Sequence, residues 1–219
     1  TIGAAGWRCA LLYRSNAEEA RAAEAAVEGS RAFAADVTDP DAVAKAIAGA
    51  AQLGPIGALV HCAFRSRKEA SKTHEVPIDS WREDLDVNLS GAFIATQAVL
   101  HHFLKNGGGR IVCIGSLAAR GEPGRVAYAT SKAGLEGFVK TVAREYARDS
   151  ITANVVHPGF MEAVAFLRLP EDIRQRALKR VPSRRAGSAS ELASLVSYLL
   201  GPDGCYVTGQ VLNMDGGAR

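Results

Sequence analysis

Arg110-Ile-Val-Cys-Ile-Gly-Ser116 and, ten residues further on, Val126-Ala-Tyr-Ala-Thr-Ser-Lys-Ala-Gly-Leu-Glu-Gly-Phe138 decide how this chain is read. The first is a short apolar run of the kind that forms a buried strand, so Ser116 stands at a strand's carboxyl end. Ligands of open α/β sheets bind at that end. The second reads as the start of a helix, where residues four apart share a face, and it places Tyr128 one turn before Lys132. Tyrosine ordinarily titrates near ~10, and a cation one turn away favours the phenolate and lowers that value. A phenol that gives up a proton and a hydroxyl that polarises a carbonyl suit hydride transfer to a ketone. Tyr-x-x-x-Lys alone is common, and the alternative is an ordinary pair on a helix surface.

Outward from this segment, strands and helices alternate. Arg8–Tyr13 reads as a strand and Ala17–Val27 as an alanine- and glutamate-rich helix. The strand Arg31–Asp36 follows, then a helix over Asp41–Ala51 opened by Thr38-Asp-Pro-Asp41, then a strand over Gly57–His61. A long helix covers Ser80 to Leu104, and Asn106-Gly-Gly-Gly109 breaks it from the strand that ends at Ser116. After the tyrosine helix come a strand over Thr152–His157, helices over Glu171–Lys179 and Ser190–Leu200, and a last strand in Thr208–Gly217. This alternation with short connections predicts a parallel sheet with helices on both faces. No repeat or low-complexity linker interrupts it, so residues 1–219 are expected to form one domain.

Composition narrows the function classes. With 219 residues and 47% hydrophobic content, the chain can bury a sizeable core. Its apolar runs are strand-length, short of the ~18 residues that span a membrane, and no charged-then-apolar leader is seen, so a cytoplasmic protein is expected. A formal charge of +3 with interspersed signs gives no case for nucleic acid. The basic cluster Arg180–Arg185 is either a solvated face or faces an acidic partner. Cys9, Cys62, Cys113 and Cys205 lack metal-ligand spacing, so no metal is expected and the thiols read as reduced.

Three further features join the Ser116, Tyr128 and Lys132 set: Asn88 within Leu85-Asp-Val-Asn-Leu-Ser-Gly91, the strand Asn154-Val-Val-His-Pro-Gly159, and Thr208-Gly-Gln-Val-Leu-Asn-Met-Asp-Gly-Gly217. In this order and spacing the chain resembles the short-chain dehydrogenase/reductase family over nearly its whole length, most closely the 3-oxoacyl-[acyl-carrier-protein] reductases. The resemblance implies a Rossmann-like doubly wound sheet and NADPH-dependent reduction of a ketone. It implies that Ser116 holds the carbonyl oxygen and that Tyr128 protonates it. Lys132 would lower the tyrosine pKa and bond the nicotinamide ribose, and Asn88 would hold a water linking Lys132 to solvent. A loop serine and a helix-stabilising asparagine are the plainer alternatives. Asp36 and Val37 match the family's adenine-contacting pair, although Asp36 also suits a helix cap. His61-Cys62-Ala63 stand where the family passes the adenosine ribose, and Pro158, Gly159 and the backbone near Met161 where it holds the nicotinamide. Tyr13-Arg-Ser-Asn16 supports NADPH on chemical grounds, because a guanidinium at Arg14 and a hydroxyl at Ser15 match a 2′-phosphate. A solvated loop arginine is the alternative.

The chain departs from the family in four places. Phe64 puts bulk where a glycine is expected, and Ala163 stands where a threonine usually contacts the carboxamide. Only Thr1–Gly6 precede the strand at Arg8, too few for the first strand and glycine-rich loop of a doubly wound sheet, so those elements are expected to be missing here. Gly3 and Gly6 are not assigned to phosphate. Two positions that would carry carrier-docking arginines are Gly107 and Asp149, with Lys105, Arg110 and Arg148 close by. The expected substrate is an acyl thioester or a small ketone, with acyl carrier protein as partner. Alternatives are a polyketide-type, small-ketone or sugar reductase, and, from another class, a dinucleotide sensor. The family also implies a homotetramer. Apolar residues on more than one face of Ala92–Leu104 and Ala133–Ala147 are compatible with that.

Overall fold

A computed structural model describes residues 3, 6–66 and 70–218. Thr1, Ile2, Ala4 and Ala5, in the segment expected to be too short for a first strand, lie outside the described residues. The elements run in chain order as β1 (Ala10–Tyr13), α1 (Ala17–Ala25), β2 (Arg31–Ala34), α2 (Pro40–Ala51), β3 (Ala58–His61), α3 (Ile78–Leu85) and α4 (Gly91–Asn106). There follow β4 (Gly109–Ile114), α5 (Val126–Tyr146), β5 (Ile151–Pro158), α6 (Val164–Leu167), α7 (Glu171–Lys179), α8 (Ala189–Leu200) and β6 (Val211–Met214).

Local chemistry sets the boundaries. Asp39 caps α2 by accepting the Asp41 and Ala42 N–H groups at 3.0 and 3.1 Å, with Pro40 in the first turn. Ser188 and Glu191 close a capping box at the start of α8. Gly107 ends α4 in the left-handed conformation, at φ 79°, which a side chain would resist.

All strand pairs are parallel, and they fall into two sheets, β1–β2 and β3–β4–β5–β6. The sequence predicts one sheet. Among the described residues no strand lies between β1 and β3, so each leaves an edge unpaired on that side. Trp7, just before β1, packs close to Gly57 and, like Ala58 at the start of β3, against the core around Val112 and Val156. Helices cover both faces of the larger sheet. On one, Ile111, Cys113, Ala153 and Val155 pack against Val99 and Phe103 of α4 and Leu135 and Val139 of α5. On the other, Val112 and Val156 pack against Val196, Leu199 and Leu200 of α8. Alternate residues of one strand thus feed two cores, as a period of two requires.

The long predicted helix over Ser80–Leu104 is instead two helices joined by a π-helical turn, Asp86–Ser90. One extra residue per turn widens the helix there, a device common at functional sites. It delivers Asn88 to the interior, at 0% exposure.

Candidate active site

The carboxyl ends of β1 to β5 carry the residues singled out from sequence. Arg14 and Ser15 follow β1 on an exposed turn. Asp36 and Val37 follow β2; Asp36 accepts Thr38 N and Oγ1 at 2.9 and 2.8 Å, and its other oxygen lies 3.8 Å from Arg14 Nη1. The Thr38 backbone bond, then its hydroxyl and the Arg14 charge, hold the Asp36 carboxyl below its ordinary range. Asp36 caps no helix, since Asp39 takes that role. His61, Cys62 and Ala63 follow β3, Ser116 follows β4, and Pro158 closes β5 with Gly159 and Met161 beyond it. Gly159 packs on the Asp215 backbone, where a Cβ would come within 2.8 Å.

Ser116, Tyr128 and Lys132 are brought together. Ser116 caps the short helical turn Leu117–Arg120: its Oγ accepts the Ala118 N–H at 3.1 Å, and its hydroxyl acts on the Tyr128 phenol, favouring the phenolate. Lys132, 2% exposed, donates from Nζ to the Ile114 carbonyl at 2.8 Å. Burial pulls its pKa down to about 8, which leaves it a cation at neutral pH.

The expectation that Lys132 makes Tyr128 more acidic is corrected. Burial raises the phenol above its usual value. The charge that opposes this is Arg125, whose guanidinium lies 5.8 Å from the ring centroid, while Glu122 and Asp84 push the phenol further up. Lys132 Nζ sits 5.9 Å from the same centroid and is bound to main chain instead. In this state Tyr128 therefore keeps its proton at neutral pH, as a proton donor should.

Asn88 is a clamp. Its Oδ1 accepts the Arg65 N–H at 2.7 Å, and Nδ2 donates to the Arg65 carbonyl at 2.8 Å and to Ser131 Oγ at 3.0 Å. Ser131 passes its own proton to the Tyr128 carbonyl at 2.8 Å. Both side-chain donors of Asn88 are thus engaged with protein rather than left for a water. Arg65 in turn pairs with buried Asp84 and with Glu83. Tyr128, Arg125, Asp84 and Ser66 line one small cleft. A larger cavity of about 540 Å³ meets Val126, Ala129, Thr130 and Ala133, the other face of α5, and so is not centred on the phenol.

The expected bystanders also have defined places. Phe64 is 66% exposed beside Cys62, which is exposed too, and Ala163 is exposed. Arg110, named as a substitute docking residue, spends its guanidinium on the Gly109 and Ser150 carbonyls at 3.0 and 2.9 Å. Lys105 and Arg148 are exposed. Sequence reasoning missed Arg125, Asp84, Arg65, Ser131 and Glu136. No spacing rule joins Arg65 to Asp84 or Asn88. His157 does carry a signal, as a histidine inside the apolar strand Asn154-Val-Val-His-Pro158.

A dinucleotide fits this row of strand ends. His61 is 3% exposed, and its Nε2 has no hydrogen-bond partner among the described residues, an orphaned polar atom beside the Lys132 charge. Arg14 and Ser15 are exposed at the end of β1. Among the described residues no group of three or more His, Cys, Asp or Glu is placed to hold a metal ion, and no helix is long and apolar enough to cross a membrane.

Comparison with known proteins agrees with this geometry. The family model described as enoyl-(acyl carrier protein) reductase matches residues 1–219. The 3-oxoacyl-[acyl-carrier-protein] reductase FabG of Salmonella typhimurium is 38% identical over 184 residues, 83% of this chain and 75% of that one. The acetoacetyl-CoA reductase of Allochromatium vinosum is 34% identical over 218 residues, 95% and 88% of the two chains. The 3-oxoacyl-[acyl-carrier-protein] reductase MabA of Mycobacterium bovis is 34% identical over 224 residues, 99% and 84% of the two.

Proposed function

Because this chain belongs to the short-chain dehydrogenase/reductase family and is an oxidoreductase of the alcohol–ketone couple, we propose that it reduces the 3-oxo group of an acyl thioester with NADPH. The observation that carries this is the convergence of Ser116, at the end of β4, a protonated Tyr128, and buried Lys132, whose Nζ lies 5.9 Å from the Tyr128 ring centroid. A dinucleotide sensor has no use for such a set.

When bound, NADPH supplies the hydride. Arg14 and Ser15 would hold its 2′-phosphate, Asp36 and Val37 its adenine, His61, Cys62 and Ala63 the adenosine ribose, and Pro158, Gly159 and Met161 the nicotinamide. Lys132, a cation fixed by the Ile114 carbonyl, would hold the nicotinamide ribose. The Ser116 Oγ accepts the Ala118 N–H, and its own proton, which favours the Tyr128 phenolate in the free enzyme, would turn to the substrate oxygen. Tyr128 gives that oxygen its proton as charge develops. Burial disfavours phenolate in the free enzyme, so the acid is loaded before reaction. Asn88 acts on the site through Arg65 and Ser131, setting the loop after β3 against the start of α5.

Relatives named for acyl-carrier-protein and CoA substrates support a thioester. Acyl carrier protein is the proposed partner, docked by Lys105 and Arg148. NADPH oxidation across CoA and carrier thioesters of 3-oxo acids, small ketones and sugars tests the reading. Turnover of thioesters well above the rest is expected. Equal or better rates with small ketones or sugars would move the protein to that substrate class, and no NADPH oxidation with any of them would overturn the proposal.

A further inference from the structure

His157, near the end of β5, touches Ser116, the residue expected to hold the substrate oxygen. Its side chain is almost wholly buried. Nδ1 accepts the Ser116 backbone N–H at 2.8 Å, and Nε2 lies 3.3 Å from Glu136 Oε1 on α5. A ring nitrogen that accepts an N–H carries no proton, so the proton is on Nε2 and points to Glu136. Glu136 also faces Lys140 at 3.7 Å, which fixes its carboxylate on the helix surface.

The backbone makes room for this ring. A Cβ on Gly115 would fall 2.1 Å from His157 Nδ1, so the residue before Ser116 must be glycine while His157 stands there. Ser116 itself is extended, at φ −168° and ψ 152°, and begins the turn whose Ala118 N–H its hydroxyl accepts. Two hydrogen bonds therefore set its orientation: its main-chain N–H donates to His157 Nδ1, and its side-chain Oγ accepts from Ala118 N–H.

Resting on the ketoreductase reading, we propose that His157, oriented by Glu136, is a positioning residue that holds the Ser116 backbone so that its hydroxyl faces the reacting carbonyl oxygen. The arrangement is sensitive to protonation. A second ring proton on Nδ1 would face the Ser116 N–H with another donor and break the bond. Burial lowers the His157 pKa below its ordinary value, and the charges of Arg120 and Lys132 act in the same direction. Glu136 alone opposes them. Arg120 lies 3.5 Å from Asp215, which moderates its effect. The bond is intact at neutral pH and is lost as pH falls below the usual histidine range.

Three variants of the full-length enzyme test this. His157→Asn keeps an acceptor near Nδ1 but cannot titrate, and His157→Leu removes the acceptor. Misplaced reacting groups cost up to ~100-fold, so the Leu variant is expected to lose at least ~10-fold in kcat with KM nearly unchanged, and the Asn variant less than ~3-fold. The acid limb of the kcat/KM profile should vanish in His157→Asn. In Glu136→Gln it should move to lower pH, because the charge that favours imidazolium is gone, a shift that loss of mere packing would not produce. The ¹⁵N shifts of His157 should report the Nε2–H tautomer whether or not any substrate is turned over. An Nδ1–H tautomer, or wild-type kcat and acid limb in both His157 variants, would overturn the proposal. A wild-type enzyme that reduces no 3-oxoacyl thioester would instead overturn the ketoreductase reading and leave the tautomer result to stand alone.

Discussion

Tyr128 is the residue on which the chemistry turns, and the structure gives it a burial-raised pKa and a Ser116 partner. Tyr128→Phe keeps the ring packing and removes the proton. It is expected to lower kcat by ~100-fold or more while the protein stays folded, and more than a tenth of wild-type turnover would remove Tyr128 as the acid. Arg14 lies exposed beside Asp36. Arg14→Asp sets a carboxylate where a 2′-phosphate would bind, so NADPH affinity should fall much more than NADH affinity; equal losses in a titration would show that Arg14 does not read the phosphate. His61 supplies a third expectation. Burial, helped by Lys132, pushes its pKa to about 4. The folded state thus binds its proton less readily than the unfolded state, and its contribution to stability is complete above the unfolded value near ~6.5. It is lost as pH falls to about 4, on the order of 3 kcal/mol in all. Denaturant midpoints should fall with pH across that window in wild type and less steeply in His61→Asn; parallel slopes would refute it. At this scale the sequence was legible where partners are close in the chain. Tyr128 and Lys132 share a helix face and could be paired on paper. Ser116 and Asp84 meet the phenol only through tertiary packing, and so the sequence does not show that burial raises its pKa while Ser116 and Arg125, not Lys132, oppose that rise.

Among the elements, the strands and most helices follow from periodicity and caps. β4, which opens at Gly109 and has Ser116 just beyond it, and α5 from Val126 stand close to where the pattern puts them. The π-helical turn was not legible, because Leu85-Asp-Val-Asn-Leu-Ser-Gly91 keeps an unbroken helical pattern. Its cause is tertiary: Asn88 must reach Arg65 and Ser131, and Gly91 must let Val37 approach, where a Cβ would lie 2.9 Å away. Asn88→Ala leaves the half-buried Arg65 N–H and carbonyl unsatisfied. A loss of ~1–3 kcal/mol is expected, a drop in Tm of roughly 3–10 °C for a chain of this size. An unchanged Tm would show that the clamp bears no weight.

For the whole molecule, the doubly wound arrangement was legible and the division into two sheets was not, because strand pairing is set by neighbours in space. The apolar residues of α4 and α5 divide between core and surface. Val99, Phe103, Leu135 and Val139 belong to the core, while Phe93 and Leu104 are 51% and 47% exposed. Those two keep the homotetramer a live proposal: light scattering should give about four times the 23.0 kDa of this chain, and a monomer mass would reject it. The account as a whole stands on one reaction. Its most direct test is the initial rate of NADPH oxidation with a 3-oxoacyl thioester, wild type beside Tyr128→Phe. Clear wild-type turnover that collapses in the variant is the expected result, and turnover of equal size in both, or in neither, would contradict it.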